Sequence, residues 1–373
     1  MWKYNTKSCN DASPAIADVD GDGNLEVIIS ASATSIVYCF DGATGNMKWT
    51  ASTGYGYSID SPAAIADVDS DGKAEVILGT FWGFVYVFNG EDGSLLWSKR
   101  FDPESCIQSE PLILDLDKDG DLDIVITQFL GLHRVYALDG KDGTTIWFSE
   151  EPKGDMYHNG SFADFDRDGD YEIVIGSYDG FLYFLNAMDG SLIWKKNLGK
   201  YIAAPTAIAD FQKDGKIEIV VAADNTIYVL SENGEILWIY DTGGSIFRGA
   251  SISDIDGDGF LDIVIGSNDG KLYGKRGKDG IPLFTFSTQG WAVENAPVIA
   301  DFNGDNFLDI FIISGKSYNN QSKNWAIGYA LSFGPGMSPG WYMFKNDLTH
   351  SGFFKTVEGI NYRYLPSPPN SLK

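Results

Sequence analysis

An acidic nonapeptide occurs seven times along this chain of 373 residues and constrains its fold more than any other feature. The copies read, in order, DVDGDGNLE, DVDSDGKAE, DLDKDGDLD, DFDRDGDYE, DFQKDGKIE, DIDGDGFLD and DFNGDNFLD. Successive copies begin 44 to 49 residues apart. A period in this range, repeated this often, indicates a repeat architecture and not a series of independent domains.

Each copy, named here loop 1 to loop 7 in chain order, has the side chains that a calcium ion requires. Calcium takes six to eight oxygen ligands in irregular geometry, and Asp residues alternating along a short loop supply them from one side. Positions 1, 3, 5 and 9 would bind through side-chain oxygens, position 7 through its carbonyl, and Gly at or near position 6 lets the chain turn sharply. Asp-Gly stretches also make ordinary turns, but an acid at position 9 in every copy favours calcium.

The sequence therefore predicts up to seven Ca²⁺ sites, at residues 18–26, 67–75, 115–123, 164–172, 210–218, 254–262 and 301–309. The predicted ligands are Asp18, Asp20, Asp22, Asn24 and Glu26 in loop 1; Asp67, Asp69, Asp71, Lys73 and Glu75 in loop 2; Asp115, Asp117, Asp119, Asp121 and Asp123 in loop 3; Asp164, Asp166, Asp168, Asp170 and Glu172 in loop 4; Asp210, Gln212, Asp214, Lys216 and Glu218 in loop 5; Asp254, Asp256, Asp258, Phe260 and Asp262 in loop 6; and Asp301, Asn303, Asp305, Phe307 and Asp309 in loop 7.

Charge supports this interpretation and ranks the sites. Half of the chain's 52 acidic residues lie at position 1, 3, 5 or 9 of a loop, and seven divalent ions would cancel more than half of the formal charge of −25. Without metal, these clustered acids repel one another. Loops 5 and 7 are expected to bind more weakly, because Gln212 and Asn303 replace an acid and Asn306 replaces the Gly of loop 7.

The segments around the loops have the pattern of strands. In the second repeat, AEVILGT, FVYVFNG and LLWSKRF are short β-branched and aromatic runs separated by turns rich in Gly and Asp, which is typical of strands and hairpins. No stretch has helical periodicity over three turns. Four antiparallel strands per repeat, arranged radially, predict an all-β, seven-bladed β-propeller over residues 1–331.

A large aromatic residue marks the fourth strand of six repeats and is expected to pack between neighbouring blades. These residues are Trp49, Trp97, Trp147, Trp194, Trp238 and Phe284. The N-terminal MWKYNT resembles the end of a repeat, so Trp2 and the N-terminal strand are predicted to complete the seventh blade and close the ring without an open edge. Residues 332–358 are expected to form a cap, and residues 359–373, rich in Pro and Ser, a tail or linker.

The loops resemble the FG-GAP (VCBS-type) family, the calcium-binding repeats of the integrin alpha-subunit propeller and of many microbial surface proteins. The second half of each repeat, such as VYVFNGEDGSLLW, also resembles the PQQ-type propeller repeat. The integrin-like arrangement implies that each metal loop joins the first and second strands of its blade. PQQ-dependent dehydrogenases carry a vicinal cysteine pair, whereas Cys9, Cys39 and Cys106 are nowhere adjacent, so PQQ is not expected.

The loops on the face opposite the metals differ most between repeats, and varied loops on a rigid scaffold are where binding usually occurs. The candidate ligand-binding residues are Tyr57, Trp82, His133, His158, Arg248, Trp291 and Glu294. Aromatic and polar groups on an open face suit a glycan or an extended peptide, which favours a non-catalytic adhesion, binding or display module. The alternatives are a polysaccharide lyase, if the His, Arg and Glu residues converge, and a structural spacer of a larger surface protein.

Composition limits the partners and the compartment. No basic stripe is visible, so nucleic acid is not expected as a partner, and no apolar segment is long enough to predict membrane insertion. MWKYNTKSCND lacks an apolar core, so the chain itself shows no signal peptide. Open calcium sites at the weak end of the affinity range nevertheless predict an extracellular or cell-surface location, as part of a larger multidomain protein.

Overall fold

The computed structural model describes residues 2–54, 58–305, 307–315 and 326–333, and these form a seven-bladed β-propeller. Seven antiparallel sheets follow one another along the chain, six with four strands and the last with three strands in the described residues. Within each sheet the strands lie in chain order. Each neighbouring pair of strands is therefore connected either by a hairpin turn or by one of the acidic loops. The only helix in the described ranges is a 3₁₀ turn at Ser32–Thr34. The predicted all-β propeller fold is confirmed.

The blades are numbered in chain order, and the strands are as follows. Blades 1 and 2 contain β1 (Ala15–Ala17), β2 (Glu26–Ala31), β3 (Ile36–Asp41), β4 (Met47–Ser52), β5 (Ala64–Ala66), β6 (Glu75–Gly79), β7 (Phe84–Asn89) and β8 (Leu95–Arg100). Blades 3 and 4 contain β9 (Leu112–Leu114), β10 (Asp123–Thr127), β11 (Val135–Leu138), β12 (Thr145–Ser149), β13 (Ser161–Ala163), β14 (Glu172–Gly176), β15 (Phe181–Asn186) and β16 (Leu192–Asn197). Blades 5 to 7 contain β17 (Ala207–Ala209), β18 (Glu218–Ala223), β19 (Thr226–Leu230), β20 (Ile236–Asp241), β21 (Ser251–Ser253), β22 (Asp262–Ser267), β23 (Lys271–Arg276), β24 (Pro282–Ser287), β25 (Val298–Ala300), β26 (Asp309–Gly315) and β27 (Ala326–Ser332).

The sequence of each strand matches its depth in the blade. The second and third strands are apolar on both faces because neighbouring blades cover both, as in β6, which is buried throughout. The fourth strand alternates between exposed and covered residues, as in β8, because only one of its faces meets another blade. The hydrophobic core therefore lies between blades; one cluster, for example, joins Val68 and Val85 of blade 2 to Ile124 of blade 3.

The fourth-strand tryptophans join each blade to the next, as predicted. The indole of Trp49 donates from Nε1 to the carbonyl of Gly90 in blade 2, at 2.6 Å. The same ring packs on Gly93 of the blade 2 hairpin, where an added Cβ would lie 2.6 Å from the indole. Gly93 has φ +72°, so the turn and the close approach of the ring both require glycine. Trp97, Trp147, Trp194 and Trp238 repeat the hydrogen bond and the contact in the following blades.

Trp2 makes the same two contacts with blade 1. Its Nε1 donates to the carbonyl of Gly42 at 2.8 Å, and its ring packs on Gly45. Trp2 thus takes the place of the missing aromatic residue of the seventh blade. The predicted closing strand itself is not formed within the described N-terminal residues 2–14, which contain no strand; Trp2 is held by its side chain.

The predicted end of the propeller at residue 331 lies within β27, which continues to Ser332. Residues 334–373 lie outside the described residues, so the cap at 332–358 and the tail at 359–373 remain predictions.

Candidate functional site

Each acidic loop connects the first strand of its blade to the second, as the resemblance to integrin-type repeats implied. The acid at position 9 is the first residue of the second strand in all seven blades. One of its oxygens accepts a hydrogen bond from the backbone N–H of position 2 of the same loop, at 2.7 to 3.1 Å. This bond fixes the position-9 carboxylate at the mouth of the loop, where its second oxygen remains for another partner.

The backbone of the loops is held in a tight turn. Position 4 has a left-handed conformation in all seven loops, with φ between +56° and +76°, and the glycines at position 6 of loops 1 to 6 have φ between +84° and +98°. The glycine N–H donates to the acid at position 1, and the N–H of position 7 donates to the acid at position 5. The predicted role of glycine at position 6 is confirmed in loops 1 to 6, while Asn306 lies outside the described residues.

Five loops bring three carboxylates together at distances that suit one metal ion. In loops 1, 2, 3, 4 and 6, ligand oxygens of three acids lie within 4.8 Å of one another. These are the loops in which the sequence keeps an acid at all four ligand positions. Asp115 Oδ1, Asp164 Oδ1 and Asp262 Oδ1 are buried and have no hydrogen-bond partner among the described residues. The donor set, hard oxygens with unused acceptor capacity, fits calcium.

The position-9 acids show the electrostatic cost of this arrangement. Burial, together with the charges of the neighbouring aspartates, raises the pKa to about 7 at five of them, in loops 2 to 6: Glu75, Asp123, Glu172, Glu218 and Asp262. Desolvation and like charge both disfavour the ionised form, whereas a divalent cation in the loop would favour it and so offset these raised pKa values.

Loop 1 differs from the others because a lysine enters it. The Nζ atom of Lys48 lies 2.6 Å from Asp20 Oδ2, 2.7 Å from Glu26 Oε1 and 3.5 Å from Asp22 Oδ2. No other described lysine or arginine lies within ion-pair distance of a position 1, 3, 5 or 9 acid in loops 1 to 6. Counting acids along the sequence did not reveal this lysine, which comes from β4.

A cavity of about 590 Å³ opens at the other end of the first strands. The acidic loops follow these strands, whereas all the residues lining the cavity except Tyr178 precede them, so the two sites lie on opposite faces. The cavity is lined by Asp11, Ser13, Asp60, Pro62, Gln108, Tyr157, His158, Tyr178, Phe247, Arg248 and Glu294. His158, Arg248 and Glu294, three of the predicted binding residues, thus meet around one space.

The cavity carries charges of both signs. Asp11, Asp60 and Glu294 come from blades 1, 2 and 7, and Arg248 comes from blade 6. Burial raises the pKa of Asp60, and the nearby charge of Asp11 adds to the effect although a hydrogen bond from Gln108 opposes it. A cationic group of a ligand would therefore be favoured on the acidic side, and an anionic group beside Arg248.

A buried hydrogen-bonded chain holds Arg248. Its guanidinium contacts Nε2 of His158, whose Nδ1 lies 3.1 Å from Glu110 Oε2. Because a guanidinium only donates, Nε2 accepts, and this pattern assigns the proton to Nδ1, which donates to Glu110. Both ring nitrogens of His158 are thus engaged within the protein, and the chain positions the arginine in the cavity wall.

The remaining predicted binding residues lie elsewhere. Trp82 is 42% exposed and meets Phe81 edge to face, with ring centroids 6.1 Å apart. His133 Nδ1 lies 3.1 Å from Asp155 Oδ1. Trp291 is half-buried, and its carbonyl accepts hydrogen bonds from Thr288 and Ser314. None of these three lines the cavity, and Tyr57 lies outside the described residues.

Sequence reasoning missed several of the cavity residues, although a signal for them exists. One residue of each repeat lies seven positions before the first Asp of its loop, and six of these seven line the cavity: Asp11, Asp60, Gln108, Tyr157, Phe247 and Glu294. Aligning the repeats on their loops, rather than comparing loop compositions, would have placed these residues around the axis.

The fold and the two faces define the class of this protein as a seven-bladed β-propeller with one acidic loop in each repeat. The chain belongs to the PQQ_2 family, described as outer membrane protein assembly factor BamB, whose model matches residues 33–200 and 131–324. The resemblance to the PQQ-type repeat is thereby confirmed, whereas the FG-GAP resemblance remains a prediction. A search of curated proteins gives no match.

Solved structures share the fold at low sequence identity. The BamB crystal structure from Moraxella catarrhalis matches with 15% identity and a TM-score of 0.57, over 88% of this chain and 84% of that one. BBS1N, crystallised in complex with ARL6DN, matches with 12% identity and a TM-score of 0.57, over 82% and 90%. The computationally designed Ika8 protein matches with 16% identity and a TM-score of 0.58, over 76% and 77%. In the described residues, no helix has the length and apolar character needed to cross a bilayer.

Proposed function

We propose that this propeller is a non-catalytic binding module: its acidic loops hold calcium, and the opposite face binds an extended segment of a protein partner. The observation that carries the proposal is the axial cavity, which places acids and a positioned arginine around about 590 Å³. The known relatives agree with a role in assemblies, since one is described as an assembly factor and another was crystallised in a complex.

The calcium part of the proposal, which carries the FG-GAP-type interpretation, rests on the donor set. Three-acid clusters occur in five loops, and in loops 3, 4 and 6 a buried carboxylate oxygen has no hydrogen-bond partner among the described residues, so that these loops offer a hard cation several ligands at once. The ion would neutralise acids that are otherwise repelled and desolvated. Calcium would then stabilise the blades by mass action, because it binds the folded loops and not the unfolded chain.

A peptide fits the cavity better than a neutral glycan does. Asp11, Asp60 and Glu294 offer sites for the cationic side chain of a peptide, and Arg248 offers a bidentate site for a carboxylate. A neutral sugar would leave these charges desolvated without a countercharge, which costs free energy. The aromatic walls, Tyr157, Tyr178 and Phe247, favour a glycan as the second candidate, since sugar rings stack on such faces.

Binding is favoured over acid–base catalysis. His158 is the one histidine that lines the cavity within the described residues, and both of its ring nitrogens are engaged, by Glu110 and Arg248. A general base must reach the proton that it removes, so His158 would first have to leave this chain of hydrogen bonds. A polysaccharide lyase is therefore the less favoured alternative.

The proposal places the protein outside the cell or on its surface, within a larger assembly or multidomain protein, because loops of this kind need calcium well above cytosolic levels. A peptide array, with positive hits measured by fluorescence polarisation in calcium, tests the binding function. Lysine- or arginine-containing peptides should bind, and Asp60→Asn should weaken them at least tenfold while leaving the melting temperature unchanged. A glycan array run in parallel covers the second candidate. Binding that is insensitive to both Asp60→Asn and Arg248→Met would exclude the cavity as the site.

A further inference from the structure

We propose that Lys48 is the resident cation of loop 1, so that this loop does not take up calcium although it carries acids at all four ligand positions. This inference rests on the proposed calcium function of the other loops. Lys48 Nζ lies between the acids at positions 3 and 9, at 2.6 Å from Asp20 and 2.7 Å from Glu26, with Asp22 at 3.5 Å. Those three acids are three of the five ligands predicted for an ion in this loop.

The lysine is specific to the first blade. Lys48 immediately precedes Trp49 on the fourth strand, and the residue before the corresponding aromatic is aliphatic in blades 2 to 6: Leu96, Ile146, Ile193, Leu237 and Leu283. An aliphatic side chain cannot neutralise a loop, so loops 2 to 6 depend on an external cation. The first blade instead carries its own.

The geometry makes the ammonium and the ion mutually exclusive. An ammonium donates up to three hydrogen bonds, and Lys48 has three acceptors from three different acids. Glu26 is completely buried, so its charge requires a partner inside the loop. Calcium could bind only if the lysine side chain left the loop. The attraction between calcium and the acids would then have to exceed that between the acids and the ammonium, which belongs to the same chain and loses little entropy on binding.

The test counts calcium ions per protein after equilibrium dialysis, by inductively coupled plasma mass spectrometry, at a free calcium concentration that saturates the wild-type protein. Lys48→Leu, which installs the residue found in blades 2, 5 and 6, should bind one more ion than the wild type. An anomalous difference map of Tb³⁺-soaked crystals should show a new peak in loop 1 of this variant and none there in the wild type. The reciprocal variant Leu96→Lys, which brings the lysine to loop 2, should bind one ion fewer.

Equal counts in the wild type and Lys48→Leu, with at least one ion bound, would overturn the role of Lys48 and leave the calcium function intact. Absence of calcium from all three proteins would overturn both. Should Lys48→Leu fail to fold, Leu96→Lys decides: a count reduced by one supports a lysine acting as the cation of a loop, and an unchanged count refutes it.

Discussion

Asp262→Asn should stabilise the metal-free protein, and calcium should reduce that gain. Asp262 occupies position 9 of loop 6 and is completely buried. Its Oδ2 accepts the N–H of Ile255 at 2.9 Å, and its Oδ1 has no hydrogen-bond partner among the described residues, close to Asp254 and Asp256. Asparagine keeps an acceptor for Ile255 and replaces the second oxygen by an amide NH₂, which can donate to the neighbouring acids.

The magnitude follows from the pKa of Asp262. Burial and the adjacent aspartates raise this pKa from 3.8 to about 7. An acid whose pKa is raised on folding costs nothing at pH below its unfolded value, and the cost grows between about pH 4 and 7 and is complete above pH 7. At about 1.4 kcal/mol per pKa unit, the full shift corresponds to roughly 4 kcal/mol. Metal-free Asp262→Asn should therefore be more stable than metal-free wild type at pH 8, by about 2 to 4 kcal/mol.

Calcium should reduce this gain. An ion in loop 6 would neutralise the buried carboxylates, and the variant would lack one of its four charged ligands. A tenfold loss of calcium affinity at loop 6 would remove about 1.4 kcal/mol of the variant's advantage at saturating calcium and leave about 1 to 3 kcal/mol. At equal pH, the same substitution should therefore stabilise the protein less in calcium than in chelator.

Differential scanning calorimetry at pH 8, in EGTA and in millimolar calcium, measures both effects. For a domain of this size, each kcal/mol should move Tm by about 1 to 2 °C. Glu26→Gln is the matched control. Because Lys48 already pairs with Glu26, loss of the Glu26 charge should lower the stability of the protein in both buffers. A melting temperature for Asp262→Asn that falls by the same amount with and without calcium would show that the carboxylate serves only the turn.

Three other predictions follow from single contacts. Trp2→Ala should destabilise the fold by about 3 kcal/mol, as much as Trp97→Ala should, because both indoles pack on a hairpin glycine and donate to the next blade. If thermal unfolding shows no effect of Trp2→Ala, or of removing residues 1–6, Trp2 does not close the propeller. Trp82→Ala combined with Trp291→Ala should leave peptide binding in fluorescence polarisation unchanged, because neither residue lines the cavity. A loss of binding with a Tm in calcium that stays within about 2 °C would extend the binding site to these residues. At limiting calcium, an anomalous-scattering survey of loops 2 to 7 should show loops 5 and 7 losing their ions first, because Gln212 and Asn303 bring no charge. If loop 5 or loop 7 is still occupied when loop 6 is empty, the number of charged ligands does not set the calcium affinity.

The repeat determines the fold so strongly that the sequence predicted most of it. The seven-bladed ring, the position of each loop between first and second strands, and the contacts of the fourth-strand tryptophans all depend on local patterns that recur in every blade. The closing element was harder, because Trp2 is held through its ring and one hydrogen bond rather than by a strand among the described N-terminal residues. Nothing in the MWKYNT pattern distinguishes these two ways of filling the same position.

The sites were predicted less completely, because they depend on residues brought together from different strands. Lys48 directly precedes Trp49 in the sequence, and only the hairpin geometry places its ammonium among the acids of loop 1. Similarly, His158 and Arg248 were expected on the binding face, but their partner Glu110 lies two residues before β9 and gave no signal by itself. Trp82 and Trp291 were selected for their size, a property that does not determine whether a residue faces the axis.

The two faces are joined by very short strands, which would couple calcium in the acidic loops to the proposed binding face. The first strand of each blade has three residues and spans about 10 Å. A cavity residue precedes it at one end, as Asp60 precedes β5, and the first acid of a loop follows at the other, as Asp67 does. A disordered loop would release one end of that strand and with it the backbone that carries the cavity residue. Calcium bound on one face would therefore hold the acids of the other face at fixed positions. A charged cavity that is already ordered binds its ligand more tightly, because no conformational entropy is lost in ordering it.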